Sequence, residues 1–199
     1  TCDFCHKLWD VKVGADNLPA ASQPGVLSAA MLRPPDGEQV FLGPFDDTPG
    51  DDVYSPLQDD SRLCAACHSG TFWGVTMYNS YGEWLSSPYS NPATGQTCQD
   101  CHMPRLGMTT FVSLPPDITQ FVPERDPATI FSHRMPGASD VDLLQNTATF
   151  ELTTRTDGSD LVVTARVTNT QAGHHIPTDN PLRNILLLVD ARDAQGNAL

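Results

Sequence analysis

Long apolar runs are missing from this chain of 199 residues; the longest clean one is Ile185 to Val189. A membrane-crossing helix needs about 20 such residues, so no transmembrane segment is expected. Lysine is nearly absent, represented by Lys7 and Lys12 alone, and the formal net charge is −13. Such a surface repels DNA, RNA and anionic lipid, which excludes nucleic acid as a partner and favours cationic partners or metal ions. Apolar residues make up 39%, short of the roughly 45–50% of an ordinary soluble domain. With 17 prolines and 14 glycines the chain reads as loop-rich. Its length suits one large or two small domains.

Cysteine is also scarce, but its six occurrences are strictly organised. They form Cys2-Asp-Phe-Cys5-His6, Cys64-Ala-Ala-Cys67-His68 and Cys98-Gln-Asp-Cys101-His102. C-x-x-C-H is the attachment signature of c-type haem: two thiols add to the porphyrin vinyl groups, and the following imidazole ligates the iron. Two intervening residues suit one helical turn that spans the macrocycle edge and aims the histidine at the metal. A chance pentad is expected roughly 0.005 times in such a sequence, which sets coincidence aside for three. Zinc ribbons would take two cysteine pairs per ion and strand the third, and a thioredoxin-like dithiol needs a βαβ setting. Disulfides would explain none of the histidines. The expected cofactors are three c-type haems, whose flat apolar faces make good the shortage of core side chains.

Residues 1–146 hold all three pentads and are expected to form a trihaem-binding domain with little periodic structure. Between Phe45 and Asp60 six acids fall within fifteen residues; carboxylates on a turn-rich loop are candidate Ca2+ ligands, although the spacing is not that of an EF-hand. Ser61 to His68 reads as a short helix capped by Ser61. Residues 71–89 carry Phe72, Trp73, Tyr78, Tyr81, Trp84 and Tyr89, expected to pack as walls beside porphyrin. From residue 147 the chain turns β-rich. Thr149 to Thr156 and Leu161 to Thr168 alternate as strands around the hairpin signal Asp157-Gly158-Ser159-Asp160. Arg183 to Arg192 reads as a third strand, so residues 147–199 are expected to be a partial antiparallel β-sandwich-like portion, completed by another chain or by further sequence.

Each pentad histidine leaves the far face of its iron to be filled. Besides His6, His68 and His102 the chain has His133, His174 and His175, matching three irons one to one and pointing to bis-histidine ligation. In extended backbone His174 and His175 would point to opposite faces and reach different haems. Methionine is the competing ligand, with Met77 the best placed of Met31, Met77, Met103, Met108 and Met135.

The ordered set TCDFCH, EWLSSPYS, CQDCHMP, SHRMPG and AGHHIPT, with Arg183 leading an apolar strand, resembles a family of bacterial and archaeal multihaem c-type cytochromes across nearly the whole chain. The resemblance implies a mostly irregular, short-helix fold wrapped around haems, with His133 and His174 as distal ligands and His175 at a variable position. Relatives usually carry further haem motifs upstream and often a histidine where this chain reads Ser55-Pro56-Leu57-Gln58, so one of these histidines can serve a haem outside the segment.

The function expected is electron transfer between redox partner proteins, in the periplasm or at the cell surface, because haem is attached outside the cytoplasm. A secretory leader is therefore expected to have been removed or to lie in sequence not seen. Assembly as a homo-oligomer or extracellular filament, or with further domains of a longer chain, fits the open β portion. The rival class is an oxidoreductase of nitrogen or sulfur compounds, which needs one five-coordinate haem. A structural or metal-binding β module that happens to carry haem is a third reading.

Overall fold

The structure is a computed structural model that describes residues 2–47, 53–111 and 113–198. Each pentad lies on a short helix. The first fills α1 (Cys2–Cys5), the second ends α2 (Arg62–His68), α3 (Ser80–Leu85) follows, and the third fills α4 (Cys98–His102). Between and around them run three small sheets. β1 (Leu8–Val11) pairs antiparallel with β2 (Ala29–Met31), β3 (Leu42–Gly43) pairs parallel with β4 (Val53–Tyr54), and β5 (Gly70–Phe72) pairs antiparallel with β6 (Val75–Tyr78).

The side-chain core is small and lies among the pentads. It consists of Leu8 and Val11 from β1, Leu57, Ala65 and Ala66 from α2, and Tyr81 from α3, all under 5% exposed. Alanines at 65 and 66 are the residues between the cysteines of the second pentad. Their small side chains let α2 sit directly against β1 and α3, where a larger residue would hold the helix off.

The expected helix at the second pentad is present with Ser61 at its N-cap position, but the Ser61 side chain makes no capping bond. The Asp60 carboxylate accepts from Arg62 N at 2.8 Å instead, and the Ser61 hydroxyl, itself buried, accepts from Cys98 N at 2.9 Å. A serine that reads locally as a cap serves a contact 37 residues away. The third pentad has a full capping box, with the Thr97 hydroxyl accepting from Asp100 N and the Asp100 carboxylate accepting from Thr97 N.

In the C-terminal part β7 (Ala148–Asp157) and β8 (Asp160–Asn169) form one long antiparallel hairpin, in register from Ala148↔Asn169 to Asp157↔Asp160. Gly158 sits at φ +61 in the two-residue turn, the conformation such a turn requires. Both strands are one residue longer at each end than the alternation suggested. Phe150, Leu152, Leu161, Val163 and Val167 share one face of it, each more than a third exposed.

The expected third strand is a correction. Residues 183–192 pair with nothing among the described residues except through the single bridge Arg192↔Ala198. Leu182, Leu186 and Leu188 are 84%, 86% and 93% exposed. A strand exists only where a neighbouring edge takes up its N–H and C=O groups, and residues 183–192 pair with neither edge of the β7–β8 hairpin. The sheet has two strands, and no β-sandwich is formed among the described residues.

Candidate haem sites

The three pentads are brought together by two glutamines and a serine. Gln58 Nε2 donates to Cys5 O at 3.0 Å, which ties the first pentad to the linker before the second. Gln99 Nε2, inside the third pentad, donates to Gln58 O at 3.0 Å and to Asp60 O at 2.9 Å. With the Cys98 N to Ser61 Oγ bond, these fix α1, α2 and α4 against one another. Gln58 stands in the linker where relatives were expected to have a histidine. None of the six cysteines is in a disulfide. The neighbouring Cys98 thiol raises Cys64 well above the ordinary thiol value, with burial adding to it, and the Cys64 thiol lowers Cys98 to about 7. The helices of the second and third pentads are joined by Cys98 N donating to Ser61 Oγ and by Gln99 Nε2 donating to Asp60 O.

Every pentad histidine is oriented by a bond at Nδ1. His6 Nδ1 meets Leu42 O at 2.8 Å, His102 Nδ1 meets Pro136 O at 2.7 Å, and His68 Nδ1 meets Asp179 Oδ2 at 2.7 Å. Such partners fix ring orientation and leave Nε2 for a metal. Leu42 comes from β3, and Pro136 from the Ser132–Gly137 stretch that also carries His133. Each partner is held by structure remote in sequence.

Two further histidines face pentad rings. His133 lies opposite His6 with ring centres 6.1 Å apart and planes at 36°, and His174 lies opposite His102 at 6.0 Å and 13°. Metal–imidazole bonds are about 2 Å and Nε2 lies roughly 1.1 Å from its ring centre, so two rings trans across one iron have centres roughly 6 Å apart. The separation matches in both pairs. His174 Nδ1 bonds His175 O at 3.0 Å, which again keeps Nε2 free.

His175 is turned the other way. Its ring is 80% exposed and its Nδ1 lies 3.1 Å from Glu83 Oε1 on α3. The adjacent histidines have different surroundings, His174 beside the His102 ring and His175 beside a carboxylate. Among the described residues no other pair of histidine rings meets as His6–His133 and His102–His174 do, and His68 is in neither.

The loop from Ala172 to Asp179 serves two pentads at once. Glu83 Oε2 accepts from His175 N at 2.9 Å and from Thr178 Oγ1 at 2.6 Å, anchoring the loop to α3. Ser80 Oγ, also on α3, donates to Asp179 Oδ1 at 2.9 Å. Burial alone would push the Asp179 carboxyl up, but bonds from His68 and Ser80 hold it below the ordinary carboxylate range. Asp179 and Ser80 were not legible as site residues, since nothing in their local sequence marks them. Gly173 leaves little room for a side chain: a Cβ there would stand 3.2 Å from Trp84 Cδ1 and 3.3 Å from Tyr89 Cβ, so the aromatic rings or the loop would have to shift by a few tenths of an ångström. If haem is held at the third pentad with His174 as its second ligand, Gly173→Ala is expected to shift His174 and convert part of that iron to high spin, read as fractional carbon monoxide binding.

The aromatic segment forms contacts of mixed kind. Tyr81 stacks on Trp84 at 5.7 Å and Phe72 meets Tyr78 edge-on at 6.4 Å, while Trp73, at the tip of the β5–β6 hairpin, is 97% exposed. Burial pushes the Tyr81 hydroxyl up to about 12, so it stays a neutral phenol. Of the acidic run proposed for calcium, Asp51 and Asp52 lie outside the described residues. Asp47 is paired with Arg125 at 2.7 Å, and Asp60 caps α2. Among the described residues no three His, Cys, Asp or Glu side chains converge as a zinc or calcium site would.

For covalently attached haem the residues fit. The thiols are free, the pentad imidazoles are aimed by Nδ1, and two are matched by a second ring at the spacing one iron requires. A penta-heme cytochrome c552 from Thermochromatium tepidum, known from a crystal structure, has the same fold. The two match with a TM-score of 0.66 at 21% sequence identity, over 100% of this chain and 50% of that one. This is a multihaem cytochrome fold. The chain spans half the length of that cytochrome. No protein-family model matches the sequence, and no curated protein matches it either. Within the cytochrome fold, no helix among the described residues is long and apolar enough to cross a membrane.

Proposed function

We propose that this cytochrome carries electrons through three covalently attached haems outside the cytoplasm. Cys2 and Cys5, Cys64 and Cys67, and Cys98 and Cys101 are the attachment residues. His6, His68 and His102 are the proximal ligands, and His133 and His174 the distal ligands of the first and third haems. Haem supplies a one-electron couple at each place. The chain's part is to hold the three groups close in a fixed order and to shut ligand exchange at two of them. The observation that carries this reading is the pair of imidazole–imidazole separations near 6 Å. The bonds from Cys98 N to Ser61 Oγ and from Gln99 Nε2 to Gln58 O and Asp60 O support rapid exchange between the second and third haems, because they hold the two pentad helices side by side. The charge of −13 favours redox partners with a positive docking face, at a rate that falls as salt rises.

A second reading rests on a specific observation: no histidine ring of the described residues faces His68. An iron held there has a distal position left for an exogenous ligand or for another segment. That keeps an oxidoreductase with one exchangeable haem as the alternative. Stepwise reductive titration of the holoprotein tests the electron-transfer reading. Three one-electron equivalents per chain are expected, with reduction unaffected by substrates such as nitrite or hydroxylamine. Turnover of such a substrate with electrons from reduced protein would favour the enzyme.

A further inference from the structure

Three proximal imidazoles are tied at Nδ1, but not to the same kind of group. His6 and His102 meet neutral backbone carbonyls, while His68 meets a carboxylate. The Asp179 side chain is 14% exposed. One oxygen takes the His68 bond and the other the Ser80 hydroxyl, so the carboxylate is fully oriented. It reaches His68 across 111 residues of sequence at the end of the loop that also brings His174 to His102. A loop that had only to supply a distal ligand would have no need to carry an oriented acid to a different pentad.

We propose that Asp179 is a positioning residue that gives His68 imidazolate character and so makes the second haem the most weakly oxidising of the three. The inference rests on the haem reading above. The physical cause is twofold. A carboxylate accepting a hydrogen bond from His68 Nδ1–H raises the basicity of the ligating nitrogen, which favours the ferric state. A shielded negative charge beside the ligand also opposes the arrival of an electron more than a carbonyl dipole does. The Arg183 guanidinium acts on His68 in the opposite sense, but without a hydrogen bond to it. One electron enters or leaves, the Nδ1 proton stays on His68, and no bond of the chain is made or broken. The consequence is a built-in difference between haems whose pentad helices are bonded to each other through Ser61 and Gln99, which gives electron flow between them a direction.

The test is potentiometry of the holoprotein with haem-resolved spectroscopic detection. Asp179→Asn is expected to raise one midpoint potential and leave the other two in place. Ser80→Ala, which frees the second carboxylate oxygen from its donor and returns charge to the His68 bond, is expected to lower that same potential. Asp160→Asn, at the exposed tip of the β7–β8 hairpin, is expected to move none. Movement of all three potentials together in Asp179→Asn, or no movement in either Asp179→Asn or Ser80→Ala, would overturn the proposal. If Asp179→Asn does not retain its haems, Ser80→Ala decides alone. Fewer than three haems per chain in the unaltered protein would instead defeat the haem reading beneath it.

Discussion

Replacing Cys98 and Cys101 together by alanine is expected to yield a chain that carries two haems and no longer unfolds cooperatively. Among the described residues only eight apolar side chains are well buried, two of them alanines, which is little for a chain of 199 residues. A porphyrin that presents roughly 300 Å² of apolar surface to the chain contributes on the order of 8 kcal/mol at about 25 cal/mol per Å². That is comparable to the whole stability of a typical domain, about 5–15 kcal/mol. The third pentad is also where the network converges, through Gln99 to Gln58 O and Asp60 O and through Cys98 N to Ser61. Losing its haem therefore loosens the packing of α2 as well. Intact mass should fall by one haem, and the thermal transition followed by circular dichroism should broaden and shift to much lower temperature. A sharp transition within a few degrees of the parent would show that haem is not a core element here.

The second large effect concerns the distal ligands. His174→Ala and His133→Ala should each convert one low-spin iron per chain into one that binds carbon monoxide, and the double variant should convert two. The changes should add, because the His6–His133 and His102–His174 pairs share no residue. Added imidazole should restore the low-spin signal in the His174→Gly variant, since the space vacated is that of one imidazole ring. His175→Ala should leave the spin count unchanged, because that ring faces Glu83 and solvent while the Glu83 bonds to His175 N and Thr178 remain. If His175→Ala opens an iron and His174→Ala does not, the two adjacent histidines have been assigned the wrong way round.

What could be read from the sequence follows from the range of the interactions involved. The pentads are complete local signatures because two thiols and an imidazole must reach one porphyrin from one turn of chain. The hairpin was legible because alternation and a Gly-containing turn are local as well. His133 and His174 were singled out by counting and by resemblance, and the structure sets each opposite a pentad ring. Counting also suggested a third match, which the structure does not form: His175 and His68 are set to carboxylates on different elements. Ser61 read as a helix cap because a serine before a helix usually is one, yet its hydroxyl is committed to a residue in another pentad. Asp179, Ser80, Gln58 and Gln99 carry no local signal at all, since each acts across 39 to 111 residues. Residues 183–192 show the reverse case. Their apolar content suits a strand, but pairing depends on a neighbour that no pattern within the segment can supply.

Spin-state counting on the holoprotein, by electron paramagnetic resonance with resonance Raman, tests the arrangement most directly. Two low-spin irons with paired imidazole ligation are expected per chain, with a third that differs from them and exchanges its distal ligand with cyanide or carbon monoxide. Three equivalent low-spin irons that bind neither, or a preparation without haem absorbance, would contradict it.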